Sequence, residues 1–356
     1  MRVGPFRGSN RRLRGLVALV AAGVLTLSAC GGSGDSEKSG AKKDGLKAVL
    51  IVNQKPGDGG PIDLMISALN EGKKTYGYAE VKDAYVADPS QAEQAIRQFA
   101  NNGYDLIMTT FSPSQQATGK VAEESPKVKF VNILGDPAFK NPENMASFFT
   151  DDVKGGYLMG VLAGMKTKTG KVAFMCGPRY ALSDRVLAGM IQGARSVNPS
   201  VQVKDAYTES YDDAAGGKQI ADFLYDSGVD VIASMAAGAE AGIRDAAEED
   251  PGSRQVITSN AAPAPGSPES KIVLGSISPG LAASITNALK LVADGTFQGG
   301  EYLVPIKDGS YLMGGLAASV SAEEKARLDT ALADLGADKI TLQGGEDVKS
   351  LLKNGS

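Results

Sequence analysis

Short, nearly continuous apolar runs alternate along the chain with longer segments whose apolar residues recur every three or four positions. The runs are LKAVLIV (46–52), DLIMTT (105–110), KFVNIL (129–134), KVAFMCG (171–177), VQVKDAY (201–207), DVIASMA (230–236) and QVITSN (255–260). Apolar at successive positions, they predict parallel strands buried on both faces. The segments 90–103, 154–170, 213–228 and 239–250 predict helices between them. Ser90 caps the first and Asn102-Gly103 ends it. In the second, Tyr157, Leu158, Val161, Leu162 and Met165 share one face. So long an alternation predicts an α/β fold with two doubly wound parallel sheets.

A first boundary falls at 145–156, where the alternation starts afresh. KIVLGSIS (271–278), followed by a helical pattern at 281–294, predicts a return crossing, and GEYLVPIKDG (300–309) predicts another. A charged helix at 321–336 closes the pattern. The expected lobes are 46–149 with 279–300, and 150–278 with 301–356. Open α/β sheets bind ligands beyond the carboxyl ends of their strands. In two facing lobes those ends converge on residues 53–63, 110–114, 135–137, 177–184, 209–213 and 236–238, and on Asn260.

The segment IVNQKPGDGGPIDLM (51–65) sets a glycine-rich turn between a strand and a helix, where a phosphate loop would lie. Gly57, Gly59 and Gly60 lack the spacing of a dinucleotide fingerprint. The nearest P-loop candidate, GMKTKTGKV (164–172), has one spacer too many and Val172 where a hydroxyl belongs. The loop is instead expected to offer the amides of Gly59 and Gly60 and the carboxylates of Asp58 and Asp63 to a small ligand, with Pro61 opening the helix. The alternative for both acids is local: Asp58 capping the helix and Asp63 stabilising its first turn. Phe111, Tyr180 and Tyr211, near strand ends, are candidates for stacking on a ring. Ser112, Asp136, Gly238 and Asn260 complete the candidate set.

The N-terminus changes the cellular setting. Arg2, Arg7, Arg11, Arg12 and Arg14 precede an apolar run of about 14 residues ending at Cys30, too short for the roughly 20 of a spanning helix. Leu27-Ser28-Ala29-Cys30 matches the lipobox of bacterial lipoprotein precursors. Residues 1–29 are therefore expected to be a signal peptide, Cys30 the lipidated residue, and 30–45 a flexible tether. The expected location is the extracytoplasmic face of the cell membrane, held by lipid alone.

Composition removes several classes. The chain has no histidine and no tryptophan, so it lacks the commonest general base and transition-metal ligand. No G-x-S-x-G elbow and no metal-ligand cluster is present, so neither an enzyme nor a metal or other cofactor is expected. Loss of the five signal arginines carries the formal charge from −4 to about −9, a poor surface for nucleic acid. With Cys30 acylated, Cys176 has no disulfide partner and is read as a buried small residue.

Several collinear stretches resemble the basic membrane protein family of lipoproteins, which includes the nucleoside-binding lipoproteins of ABC importers. They are GDGGPIDLMISALNEG, VAEESPKVKFVNILGD, ASFFTDDVKGGYLMGVLAGMKTKTGKVAFMCG, GARSVNPSVQVKDAYTESYDDAAGGKQIADFLYDSGVDVI and ADGTFQGGEYLVPIKDG. The resemblance covers about residues 46 to 320. It implies a type I periplasmic binding protein fold, two lobes joined by three crossings, with an ABC permease and its ATPase as partners. A monomer is expected, closing on a small polar solute with purine nucleosides as the family default. At the family's ligand positions this chain departs from the pattern. Its two aromatics fall on Pro61 and Ala233, its acidic pair near Asn260 and Ala262, and its lysine near Ser278 or Pro279. A non-nucleoside solute and a sensor lipoprotein remain the alternatives.

Overall fold

The computed structural model describes residues 45–57 and 60–353. The signal segment, Cys30, nearly all of the tether, Asp58 and Gly59 lie outside the described residues. The chain runs β1 (Lys47–Val52), α1 (Pro61–Tyr76), β2 (Glu80–Tyr85), α2 (Ala92–Asn101), β3 (Leu106–Thr110), α3 (Phe111–Glu124), β4 (Lys129–Ile133) and β5 (Met145–Thr150). It then forms α4 (Asp152–Lys166), β6 (Lys171–Cys176), α5 (Ala181–Val197), β7 (Gln202–Tyr207), α6 (Ala214–Asp226), β8 (Val231–Met235), α7 (Glu240–Glu248), β9 (Gln255–Thr258) and β10 (Val273–Pro279). Last come α8 (Leu281–Ala293), β11 (Gly300–Val304), β12 (Tyr311–Gly314), α9 (Ala322–Gly336) and α10 (Val348–Lys353).

These strands make two six-stranded sheets, ordered β11-β5-β4-β3-β1-β2 and β12-β10-β9-β8-β6-β7. Every pairing is parallel except β10 with β12. The seven apolar runs all became strands. β2 was not foreseen: it is an edge strand with a half-exposed, charged sequence, EVKDAY, and shares five of six residues with the foreseen edge strand β7, QVKDAY. β11 corrects the expected lobe division. It pairs with β5 in the first sheet, so the chain re-enters the second sheet after Val304 and not after Gly300.

Each sheet is covered on both faces, which is why its central strands are apolar nearly throughout. Leu50, Met108, Val131 and Phe148 point into one core of the first lobe, Val49, Ile107 and Phe130 into the other. In the second lobe Phe174 and Ala233 face one core, Ala173 and Ile232 the other. Burying each such phenylalanine contributes about 1.5–3 kcal/mol.

The pair α4 and α5 needs glycine to approach so closely. A Cβ on Gly156 or Gly160 would lie 2.0 or 2.1 Å from a carbonyl oxygen of α5. One on Gly189 or Gly193 would lie 1.9 or 2.0 Å from a carbonyl oxygen of α4. Alanine at any of these forces the helices apart. The C-terminal segment then braces α5: Gln192 and Gln343 bond reciprocally, and Arg195 Nη1 donates to the Leu351 carbonyl at 2.7 Å.

Three crossings join the lobes, at 150–152, 279–281 and 304–311. They are knitted together. The Asp151 amide donates to Ser310 Oγ at 3.3 Å and the Gly280 amide to the Ser310 carbonyl at 2.8 Å. A Cβ on Gly280 would fall 1.7 Å from the Gly309 carbonyl oxygen, so the crossings touch backbone to backbone there.

Candidate functional site

The carboxyl ends of the strands of both sheets surround one cavity of about 480 Å³ between the lobes. Its lining follows the topology. Asn53 and Gln54 leave β1, Phe111 and Ser112 leave β3, and Leu134 to Asp136 leave β4. Opposite them, Pro178 and Tyr180 follow β6, Glu209 and Tyr211 follow β7, Met235 and Ala237 end β8, and Asn260 follows β9. Pro279 and Leu281 close it at the second crossing.

Backbone strain gathers here. Among the described residues four non-glycines have positive φ, and three of them, Phe111 (63°), Leu134 (59°) and Ala237 (47°), line the cavity. Each such conformation costs on the order of 1–3 kcal/mol and persists only where its surroundings fix it. The surroundings do so. The Phe111 carbonyl accepts from Asn132 Nδ2 at 3.2 Å and Ser114 Oγ at 3.2 Å. The Leu134 amide donates to the Phe148 carbonyl at 2.9 Å. The Ala237 carbonyl accepts from Asn260 Nδ2 at 3.1 Å.

The first-lobe wall is a web around Gln115, beside which the buried Asn132 Oδ1 accepts nothing from the protein. Gln115 Oε1 accepts the Asp136 amide at 2.6 Å, while Gln115 Nε2 donates to the Asp136 carbonyl and to Ser147 Oγ, both at 3.2 Å. Asp136 Oδ1 accepts the Ala138 amide at 2.8 Å, so the carboxylate is oriented by its own turn. Gly135 is required: a Cβ there would sit 2.3 Å from Asn132 Oδ1 and 2.5 Å from Gln115.

The second-lobe wall carries an unpartnered acceptor of its own. Asn260 uses its amide on Thr258 Oγ1 (2.9 Å), its carbonyl on Ser276 Oγ (2.6 Å) and its Nδ2 on Ala237, yet its buried Oδ1 accepts nothing from the protein. An acceptor left so costs about 1–3 kcal/mol, recovered when a ligand N–H or O–H reaches it. The Tyr211 ring lies against Gly177, where a Cβ would meet it at 2.3 Å. Burial, reinforced by the neighbouring Cys176, raises the Tyr211 hydroxyl well above its usual pKa, so it stays a donor. Burial likewise pushes the Cys176 thiol up to about 12, which makes it inert packing. Tyr180 stands 45% exposed on the rim.

Of the residues expected from sequence, Phe111, Ser112, Asp136, Tyr180, Tyr211 and Asn260 meet at this cavity. Gly60, Asp63 and Gly238 do not line it, and Asp58 and Gly59 lie outside the described residues. Both Asp63 carboxylate oxygens accept the Gly57 amide, at 2.9 and 3.1 Å, closing the loop onto the first turn of α1. That is the local role weighed against ligand contact. Gly238 instead lets the chain pass the Tyr211 carbonyl, 3.2 Å from where its Cβ would be. Ala233 is wholly buried inside β8, two residues short of the cavity-lining Met235. The residue missed was Arg185, one turn into α5 and paired with Asp152 across 33 residues; nothing local marks it. No group of residues able to hold a metal ion occurs among the described residues.

Two doubly wound lobes, three crossings and one cleft at the strand ends define the type I periplasmic binding protein fold. The fold is shared with a solute-binding protein of an ABC transporter system from Conexibacter woesei, at TM-score 0.69 and 24% identity over 84% of this chain and 99% of that one. One from Aeropyrum pernix gives 0.72 and 17%, over 87% and 99%. Residues 46–304 match the family model described as ABC transporter substrate-binding protein, PnrA-like, and the chain belongs to that family. Among curated relatives it is 34% identical to the CD4+ T-cell-stimulating antigen of Listeria innocua, over 64% of this chain. The match spans 65% of that relative's length, just under two thirds. It is 31% identical to the ABC transporter nucleoside-binding protein BmpA of Lactococcus lactis, over 66% of this chain and 67% of that one.

Proposed function

We propose that this protein is the solute-binding component of an ABC importer, capturing a small polar solute by closing its lobes. The observation carrying the reading is the cavity at the strand ends, with aromatic rings beside an unpartnered buried acceptor at Asn260. Rings offer a face to a flat base or sugar, and Asn260 Oδ1 selects a ligand with a donor. A purine nucleoside or a related compound satisfies both, and relatives named nucleoside-binding and purine-binding support that class. Phe111 enters from the first lobe and Tyr211 from the second, so a ring between them would be enclosed only on closure.

The protein acts without catalysis, as a monomer, presenting its closed form to a permease and ATPase. The leader and Cys30 support export and lipid anchoring on the extracytoplasmic face. Among the described residues no helix is long and apolar enough to cross a membrane.

A thermal-shift screen of nucleosides, nucleobases, sugars and polyols tests this. A solute at 100 times its Kd adds about 2.7 kcal/mol, so its melting shift is easily read. A shift with inosine, guanosine or adenosine, weakened in Asn260→Ala, is the expected result. Shifts confined to sugars or polyols would reject the nucleoside class.

A further inference from the structure

The floor of the cleft holds a cation that the solute-binding reading does not use. Arg185 lines the cavity from the first turns of α5. Its Nε and Nη2 donate to Asp152 Oδ2 at 2.9 and 2.7 Å, and its Nη1 makes no hydrogen bond to the protein. Asp152 is fully buried and follows the first crossing directly. Its Oδ1 accepts from Thr150 Oγ1 at 2.5 Å and from the Tyr311 hydroxyl at 3.2 Å, at the end of the third crossing. One guanidinium therefore touches the cavity on one side and, through a single carboxylate, two of the three crossings on the other.

The position is held from both ends. A Cβ on Gly345 would lie 2.9 and 3.1 Å from Arg185 N and Cγ, so the C-terminal segment presses on the arginine stem. Leu182, one turn earlier, packs against the cores of both lobes, which puts this part of α5 at their junction. A planar guanidinium with two nitrogens fixed can direct the third only along one line.

We infer that Arg185 reads an oxygen or ring-nitrogen acceptor on the solute and, through Asp152, ties that contact to the lobe crossings. The inference rests on the solute-binding reading. Because Asp152 already neutralises Arg185, and Asp136, Glu209 and Asp212 also line the cleft, the preferred acceptor is uncharged: a carbonyl, a hydroxyl or an unprotonated ring nitrogen. Free anions are disfavoured.

The test is calorimetric titration of the full chain with inosine, guanosine, adenosine, D-ribose and D-glucose, using wild type, Arg185→Met, Arg185→Lys and the double variant D152N/R185M. Arg185→Met alone leaves a buried charge and can fail to fold; the double variant removes both charges and keeps the test open. For whichever solute the wild type binds, R185M and the double variant are expected to bind at least tenfold more weakly. R185K should recover part of that loss. The double variant should regain the melting temperature that R185M loses without regaining affinity, a split that a purely structural ion pair would not produce. Wild-type affinity in the double variant overturns the inference while leaving the solute-binding reading intact. Silence of the wild type toward all five solutes overturns both.

Discussion

The molecule carries two buried carboxylate–arginine pairs built alike and placed differently. Asp152 and Glu240 have side chains 0% and 1% exposed, and each takes Nε and Nη2 of an arginine, with distances of 2.7–2.9 Å in both. Each also accepts from a threonine hydroxyl, Thr150 or Thr258. The second carboxylate oxygen accepts from Thr150 and Tyr311 in Asp152 but from nothing in Glu240, and the arginines differ in what else they do. Arg244 spans one turn of α7, its Nη1 held by Glu269 at 3.2 Å and its Nη2 also reaching Thr258. Arg185 joins two helices across 33 residues and lines the cavity, with its Nη1 unbonded to the protein. The same chemical device thus acts as a local clamp when every donor is taken, and as a reader when one is left over.

Breaking the local clamp has the largest expected effect on folding. Arg244→Met strands Glu240 in the core and is expected to lose about 3–5 kcal/mol in urea unfolding, with unchanged affinity per folded molecule. A loss of affinity matching that of R185M would erase the distinction between the pairs.

Removing the Tyr311 hydroxyl is next. Tyr311→Phe deletes one bond to a buried charge, worth about 1.5–3 kcal/mol, and should loosen exchange of the amides at all three crossings. Unchanged protection at Gly280 and Leu281, which the Tyr311 hydroxyl does not bond, would show that the crossings move independently.

The pH dependence separates the pairs more finely. Burial raises the Asp152 carboxyl, and the Arg185 charge opposes that rise. Without the arginine the carboxyl should rise further. An acid with a raised folded-state pKa is most stable when protonated, and loses stability as pH climbs from its ordinary value through the raised one. R185M should therefore be more destabilised at pH 7.5 than at pH 4.5, by about 1.4 kcal/mol per unit of rise, and the double variant D152N/R185M should not show the difference. Equal destabilisation at both values would mean that water reaches Asp152 once the arginine is gone.

The smallest effect concerns strain. Ala237, with φ 47°, holds Asn260 against the cavity. Ala237→Gly should stabilise the protein by about 1 kcal/mol. If it also weakens solute binding, the strained turn orients Asn260.

Much of the architecture was legible in the chain. Seven runs gave seven strands at nearly the expected residues; six of them are buried on both faces and so apolar at nearly every position, a signal that is local. The edge strands β2 and β7 share the half-exposed, charged segment VKDAY, where the apolar signal is weak, and only β7 was read as a strand. The helix α3 escaped because its buried face is largely polar and small, Ser114, Gln115, Thr118 and Gly119, so no apolar period marks it. Six candidate residues reached the cavity because strand ends converge by topology. Asp63 turned back onto its own loop, where both of its carboxylate oxygens accept the amide of Gly57.

By itself, then, the sequence determined the alternation of strand and helix, the pair of sheets and the end at which a ligand would sit, all of which follow from short-range periodicity. Only the tertiary structure decided that Asp152, Arg185 and Tyr311, spread over 159 residues, form one buried network. Charge partners are chosen by proximity in space and by the loss of water, and neither leaves a trace in the local order of residues.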